Sequence, residues 1–464
     1  MDLPMTIEDA AAGLRSGVTS SRELVELYIS RADALDEQLG CYISRFDESA
    51  REAADVADAE LAAGTDRGVL HGIPLGIKDI IATDDGPTTG QSLVLPSEWG
   101  DQGDGPVMKR LRGAGAIMMG KTTTMEFACG APDPEKPFPI PRNPWNLAKT
   151  PGGSSSGTGN GVAAGLFAAG LGTDTGGSVR WPAAACGITG MKQTFGRVPK
   201  SGCLPLGFTY DNIGPMARSA WDCAAMLQVM AGPDPSDMTT AEVEVGDYLS
   251  TIGDGVAGMK IGVDRANTIA QAGVTADAAA VFEASLDVLA TAGAEIIEIE
   301  IPHYQALVDA DIIGLFAEAY SWHRHYLQTK WGDYGRPTRQ ALISGAFISG
   351  GDYVQAQRVR EYGRMLVQEM LGDLDLIATP TVVAGAPDVD GLSLADIFPD
   401  IHTPVFNATG HPSIALPIGY DDSSMPLSLQ LTGAYFDEAT VFRAAHAYQQ
   451  ATTWHLDLPP LAQI

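Results

Sequence analysis

The period of apolar and polar positions changes several times along the chain, and each change marks an element. Behind the capping box Ser20-x-x-Glu23, Leu24, Leu27, Tyr28, Arg31 and Leu35 recur at helical spacing, so the first sixty-odd residues read as helical. Residues 70–79 alternate apolar and small side chains between turn signals, which predicts a strand ending at Lys78 and Asp79. An amphipathic stretch at 107–111, the turn Gly113-Ala114-Gly115 and an apolar run at 116–119 predict helix, turn and strand in that order. Further strands are expected at 259–263, 297–301, 376–379, 413–418 and 427–431, with helical stretches between most of them. This order predicts an α/β protein, a central mixed sheet covered by helices on both faces.

Three segments need separate treatment. Residues 151–177 hold ten of the 53 glycines, yet Val162, Leu166, Phe167 and Leu171 stand among alanines between them. A flexible linker has no use for that apolar load, so the stretch reads as a buried helix of small residues between two Gly-rich turns. Residues 232–256 and 384–404, rich in Asp, Gly, Pro and Thr, read either as linkers or as surface loops of one large domain.

Composition narrows the function. The 464 residues carry 29 Lys and Arg against 58 Asp and Glu, a net charge of −29 spread along the chain. Such a field repels phosphate backbones and anionic lipid, so neither direct nucleic-acid binding nor membrane binding is expected. No apolar run has the length of a membrane span, and the acidic N-terminus lacks the apolar region of a secretory signal. Five scattered cysteines (Cys41, Cys129, Cys186, Cys203 and Cys223) fit neither a disulfide framework nor a zinc site. A cytoplasmic protein is expected.

Two motifs satisfy known patterns without the physics behind them. Gly115 to Thr122 matches G-x-x-x-x-G-K-[ST] letter for letter, but a phosphate loop follows a strand and opens a helix, and here a helix precedes it. Gly153-Ser154-Ser155-Ser156-Gly157 matches the nucleophile elbow G-x-S-x-G, with Ser155 as nucleophile. An elbow needs a buried strand leading in, and Lys149-Thr150-Pro151-Gly152 is not one. The one close histidine pair, His323-x-His325, lacks a metal-binding frame. His71, His411 and His455 are expected to fix loops or to lie at the surface.

A third arrangement uses all the unusual residues. An ammonium at the end of an apolar strand is costly to bury, and burial turns a lysine into a base near neutral pH, which is what Lys78 needs for general-base work. Ser154 lies in the first Gly-rich turn. Ser178 lies in the second, directly after Gly176 and Gly177, where backbone amides can converge on a carbonyl oxygen.

With these residues in view, the chain resembles the amidase signature family of Ser-Ser-Lys hydrolases. The resemblance rests on His71-Gly-Ile-Pro-Leu-Gly-Ile-Lys78-Asp79, on 120–128, on Arg142-Asn-Pro-Trp-Asn146, and on Thr150-Pro-Gly-Gly-Ser-Ser-Ser-Gly157 and Gly172-Thr-Asp-Thr-Gly-Gly-Ser-Val-Arg180. The segments 211–219, 406–413 and 427–433 continue it in the family's order. It implies one α/β domain over 1–464 with a twisted mixed sheet, divided into a helical N-terminal segment (about 1–65), a signature core (about 66–230) and a variable pocket region (about 300–400). It further implies Lys78 as base, Ser154 as bridging serine in cis geometry and Ser178 as nucleophile. The amides of Thr175, Gly176, Gly177 and Ser178 would form the oxyanion hole, with Asp174 and Arg180 bracing the loop. The reaction implied is covalent acyl transfer, without metal or organic cofactor. Thr123 stands where many members have Asn, a change expected to bear on packing or pocket shape.

The resemblance leaves the amide open. By it, the pocket draws on Phe127, Cys129, Gly130 and Trp181 and on 312–348, which holds seven of the chain's 33 aromatic residues. Those rings favour a bulky or aryl amide, an anilide or a carbamate, acted on by a monomer or homodimer. Two alternatives stand beside this expectation. One is the glutaminase subunit of a tRNA-dependent amidotransferase, to be recognised by a pocket Arg and Asp pair, with Arg336, Arg339, Arg358 and Arg360 as the arginines available. The other is a ligand-binding member without turnover.

Overall fold

The computed structural model describes residues 3–464 apart from 102, 272 and 394–396, so Met1 and Asp2 and part of the 384–404 segment lie outside the described residues. Eleven strands form one sheet: β1 Tyr42–Arg45, β2 Pro74–Lys78, β3 Ile117–Thr122, β4 Ala169–Asp174, β5 Thr189–Lys192, β6 Asn212–Ala217, β7 Lys260–Val263, β8 Glu295–Glu298, β9 Leu376–Pro380, β10 Ser413–Tyr420 and β11 Pro426–Thr432. Their order is β1-β3-β2-β4-β6-β5-β10-β11-β9-β7-β8. The β3-β2-β4 and β9-β7-β8 groups are parallel and the remaining pairs antiparallel. The fold is thus a single-domain α/β fold, a large mixed sheet flanked by helices.

The helix expected behind Ser20 runs over Ser21–Leu39, with both halves of its capping box formed. Every residue of β2, β3, β4, β5 and β6 is buried, as strands covered on both faces require. The sheet is continuous across both proposed linkers. Residues 232–256 lie between β6 and β7, and 384–404 between β9 and β10, so these stretches join strands of one sheet.

The structure corrects the reading of 151–177. Its helix covers only Ser156–Ala164 and stops where Gly165 turns left-handed at φ 66°. Residues 169–174, expected as the end of that helix and the start of the second Gly-rich turn, form β4 at the middle of the sheet. Strand propensity disfavours Ala-Gly-Leu-Gly-Thr-Asp, and packing overrides it: a Cβ on Gly170 would lie 2.7 Å from the Gly76 carbonyl oxygen of β2. The strand expected at 297–301 is displaced to Glu295–Glu298, and β1, β5 and β6 carried no alternating signal in the sequence. His71, His411 and His455 are all buried, which removes the surface alternative for them.

Candidate active site

Three elements converge at the centre of the sheet. Strand β2 delivers Lys78 at its C-terminal end, between the parallel neighbours β3 and β4. The turn before helix Ser156–Ala164 carries Ser154, and its Gly153–Ser154 peptide bond is cis. The loop leaving β4 carries Ser178 and leads into helix Arg180–Cys186. The two Gly-rich turns are tied together, since the Ser155 N–H donates to the Ser178 carbonyl at 3.3 Å and the Thr173 N–H to Ser155 Oγ at 3.1 Å.

Lys78 is wholly buried, and its Nζ donates to Ser154 Oγ at 2.8 Å, Ser155 Oγ at 3.0 Å and Thr173 Oγ1 at 2.7 Å. All three partners are neutral hydroxyls, and no carboxylate pairs with Lys78 among the described residues. Burial therefore pushes its ammonium down to about 7, against weaker upward pulls from Cys203, Asp174 and Asp211.

The loop after β4 is held from beneath by a buried ion pair. Arg180 Nε and Nη2 donate to Asp174 at 3.0 and 2.9 Å, and the same carboxylate accepts the N–H of Val179 at 3.1 Å and Asn407 Nδ2 at 2.7 Å. Burial alone would push the Asp174 carboxyl up, but Arg180 beside it holds it at about 2. The guanidinium also donates to the Thr403 carbonyl and to Gln430 Oε1. Above the pair, the N–H groups of Gly176, Gly177 and Ser178 donate to no backbone carbonyl among the described residues. Gly177 has φ 129°, and a Cβ there would fall 2.0 Å from Thr403 Oγ1, so only glycine fits.

Ser154, Gly176, Gly177 and Ser178 open onto a narrow cavity of about 40 Å³. Its other walls are Met125, Ala128, Cys129, Gly130, Gly153, Trp181, Leu206, Leu315, Phe316, Ile397, Phe398 and Ile401. Cys129, Gly130 and Trp181 thus line this cavity. Phe127 does not: its ring turns away to pack on Trp322, His323 and Tyr334. Thr175 also stands behind the wall, with its hydroxyl donating to Asp211 at 2.6 Å. Of the seven aromatic residues at 312–348, only Phe316 reaches the cavity, while Trp331 and Phe347 are exposed. Tyr320, Trp322 and Tyr326 were indistinguishable in sequence from pocket rings because one helix, Tyr304–Thr329, serves both core and cavity.

The other residues singled out in the sequence fall elsewhere. Ser155 is buried behind Ser154 and is absent from the cavity wall, as an elbow nucleophile would not be. Lys121 ends inside the core on the Ile81 carbonyl and Thr88 Oγ1, where no phosphate loop exists. Thr123 donates to the Gly40 carbonyl at 2.8 Å, so the change there concerns packing. Arg336, Arg339, Arg358 and Arg360 are all absent from the wall, and among its described residues no side chain is charged. Thr173, Asn407 and Gln430, which hold Lys78 and Arg180, were not among the residues expected from the sequence. Each lies in a stretch quoted for its glycines or serines, and no residue-type signal set it apart.

Comparison with known proteins agrees with this architecture. The chain is 37% identical, over 98% of both chains, to the A-type subunit of glutamyl-tRNA(Gln) amidotransferase from Roseiflexus sp. (strain RS-1), and further relatives of that name match at 34–36%. The solved peptide amidase in complex with the competitive inhibitor chymostatin superposes with a TM-score of 0.83 at 28% identity, covering 96% of this chain and 97% of that one. The 6-aminohexanoate cyclic dimer hydrolase complexed with substrate gives a TM-score of 0.87 at 25% identity over 100% of both chains. A family model described as Amidase matches residues 23–442, and the chain accordingly belongs to the amidase signature family of enzymes that hydrolyse amide C–N bonds.

Proposed function

We propose that the chain hydrolyses uncharged carboxylic amides with an apolar acyl group through a Lys78–Ser154–Ser178 relay. The observation that carries this reading is the surroundings of Lys78 Nζ, a buried amine facing three hydroxyls and no anion. A neutral amine has two hydrogens to give and one lone pair to offer. Ser155 Oγ also lies 3.3 Å from the Thr173 carbonyl, which takes its hydrogen, so Ser155 accepts from Nζ. The Ser154 hydroxyl, at 2.8 Å, then faces the lone pair. Ser154 passes its proton to Lys78 as it receives the proton of Ser178, whose Oγ forms a bond to the acyl carbon. The amides of Gly176, Gly177 and Ser178 take the developing negative charge on oxygen, with Thr175 continuing the strand beneath them. The C–N bond breaks as the relay returns a proton to nitrogen. Water, deprotonated along the same relay, then releases the acid. No cofactor enters any step.

The wall supports this choice of substrate class. An apolar cavity without a charged side chain among its described residues makes a charged substrate costly to desolvate. The aromatic cluster no longer speaks for anilides or carbamates, since it packs largely into the core. A second reading, the glutaminase subunit of an amidotransferase, is favoured by the names of the 34–37% identical relatives. Ammonia release by the chain, alone and with further subunits added, decides between them. Turnover of butanamide exceeding that of L-glutamine supports the first reading. Turnover of L-glutamine alone, and only in the presence of further subunits, supports the second. Ser178→Ala is inactive under either.

A further inference from the structure

A second cavity touches the relay from another side and plays no part in the reaction described. It measures about 380 Å³, against about 40 Å³ for the one at Ser178, and the two share no wall residue. Thr173 stands in its wall, and Thr173 Oγ1 is the atom that accepts from Lys78 Nζ at 2.7 Å. Asn212 of the neighbouring strand β6 stands in the same wall, where the β4–β6 register pairs Asp174 with Asn212 and Thr173 with Ile213. Pro205 and Ile213 add apolar surface, and Phe208 and Met238 expose more of it to solvent.

Two polar groups in this wall have hydrogen-bonding capacity to spare. The relay uses Thr173 as an acceptor from Nζ, so its own hydroxyl hydrogen must go elsewhere, and it has no acceptor among the described residues. Asn212 is 4% exposed; its Nδ2 donates to the Tyr210 and Asp174 carbonyls at 2.8 and 3.4 Å, while its Oδ1 accepts from no described residue. Leaving such groups unmet is costly. A donor and an acceptor on adjacent strands are the complement of a carboxamide, whose carbonyl takes the first and whose N–H serves the second. The charged groups of the wall call for no counter-ion. Asp211 holds the Thr175 hydroxyl and the N–H groups of Leu206 and Gly207, and Asp237 holds those of Lys200 and Thr239. Lys200 Nζ donates to Thr239 Oγ1 and lies over the Phe195 and Phe208 rings. Burial pushes the Cys203 thiol up to about 12, so it is neutral.

We infer that this second cavity binds a small neutral amide with an apolar body, and that the occupant acts on the relay through Thr173. A carbonyl that takes the Thr173 hydrogen keeps it off the Nζ lone pair, which then stays with Ser154. The apolar body replaces solvent one hydroxyl away from Lys78, which disfavours the ammonium. The groups facing Lys78, namely the Cys203 thiol, Asp174 and Asp211, keep their charge states when a neutral molecule enters. Occupation should therefore lower the pH at which Lys78 becomes competent by about half a unit, raising turnover at pH 6 about 2.5-fold. By reciprocity the occupant binds about 2.5-fold more tightly at pH 8.5 than at pH 6. The effect on turnover rests on the amidase reading above, whereas binding and its pH dependence do not.

The probe is 2-pyrrolidinone, whose own hydrolysis would release no ammonia. Its binding to Ser178→Ala is measured by calorimetry at pH 6 and pH 8.5, and its effect on ammonia release from butanamide by the wild-type chain at pH 6 and pH 9. Binding is expected to be tighter at pH 8.5, and in Lys78→Met to persist without the pH dependence. Cyclopentanone, which keeps the ring and the carbonyl and lacks the N–H, is expected to bind about tenfold more weakly, a comparison that needs no variant. The lactam should raise kcat/KM at pH 6 and leave it unchanged at pH 9. Cys203→Phe, which fills the cavity with a ring, should abolish binding. Absence of binding, equal binding at the two pH values, or binding that survives Cys203→Phe overturns the inference. A rise in KM for butanamide at every pH also overturns it, because the lactam would then sit at Ser178. Binding with the expected pH dependence, in a chain that hydrolyses no butanamide, sinks the reaction reading and leaves this inference standing.

Discussion

The pH dependence of turnover tests the relay most directly. Only neutral Lys78 can accept a proton, so the rate must follow its deprotonation. With its ammonium pushed down to about 7, half of the free enzyme is competent at pH 7, and about one tenth at pH 6. At the ordinary lysine value of 10.5 the competent fraction at pH 7 would be about three in ten thousand, so burial gains on the order of a thousandfold in usable base. The assay is kcat/KM for butanamide from pH 5.5 to 9, which reports the free enzyme. The expected profile climbs with unit slope and levels off above a break near 7. A second variant sharpens the test. The ammonium can donate to all three hydroxyls at once and the neutral amine to only two, so Thr173 Oγ1 at 2.7 Å favours the charged form. Thr173→Val should therefore move the break to lower pH. A profile flat between pH 6 and 8, or a break that Thr173→Val moves upward, refutes the argument that a desolvated lysine drives the chemistry.

Other consequences are open to simple measurements. Lys78→Met should raise stability. The folded pKa lies below the unfolded one, so the penalty is fully present below about pH 7 and vanishes as pH rises toward 10.5. The gain in urea denaturation, at most roughly 5 kcal/mol, should accordingly be larger at pH 6 than at pH 10. Arg180→Met strands a buried Asp174 carboxylate and should cost about 3–5 kcal/mol of stability by the same method, with loss of activity. Gly177→Ala should lower kcat about a hundredfold while circular dichroism stays native, because its Cβ meets Thr403 and displaces the loop amides. Ser155→Ala removes one acceptor from Lys78 and should lower kcat about tenfold, whereas loss of all activity would restore Ser155 as the nucleophile.

The site was more legible in the sequence than the sheet that carries it, and the reason lies in what each demands of the chain. Lys78 at the end of an apolar strand, and serines framed by glycines, are locally unusual, and their oddity follows from the chemistry. Strand β4 shows the opposite case. Its Ala-Gly-Leu-Gly-Thr-Asp sequence looks like small-residue helix because its glycines answer to Gly76 across the sheet, a partner distant in sequence. The same holds for Asp174 and Arg180, whose partners Asn407 and Gln430 arrive from the far end of the chain. A single sequence carries no signal for such long-range satisfaction.

Substrate choice is the extreme of that problem. The cavity wall is drawn from segments around 125–130, 153–154, 176–181, 206, 315–316 and 397–401, none of which forms more than one side of it. A ring on helix Tyr304–Thr329 faces core or cavity according to its turn alone, so Phe316 lines the wall while Trp322, six residues on, packs against Phe127 and His323. The reaction, by contrast, depends on backbone amides and one buried amine, which any wall can surround. One sheet and one loop can thus serve many amides, with selectivity set by a few wall side chains such as Leu315 and Phe316. Changing Phe316 should therefore alter which amide is taken and leave the break near pH 7 where it is, because that break belongs to Lys78.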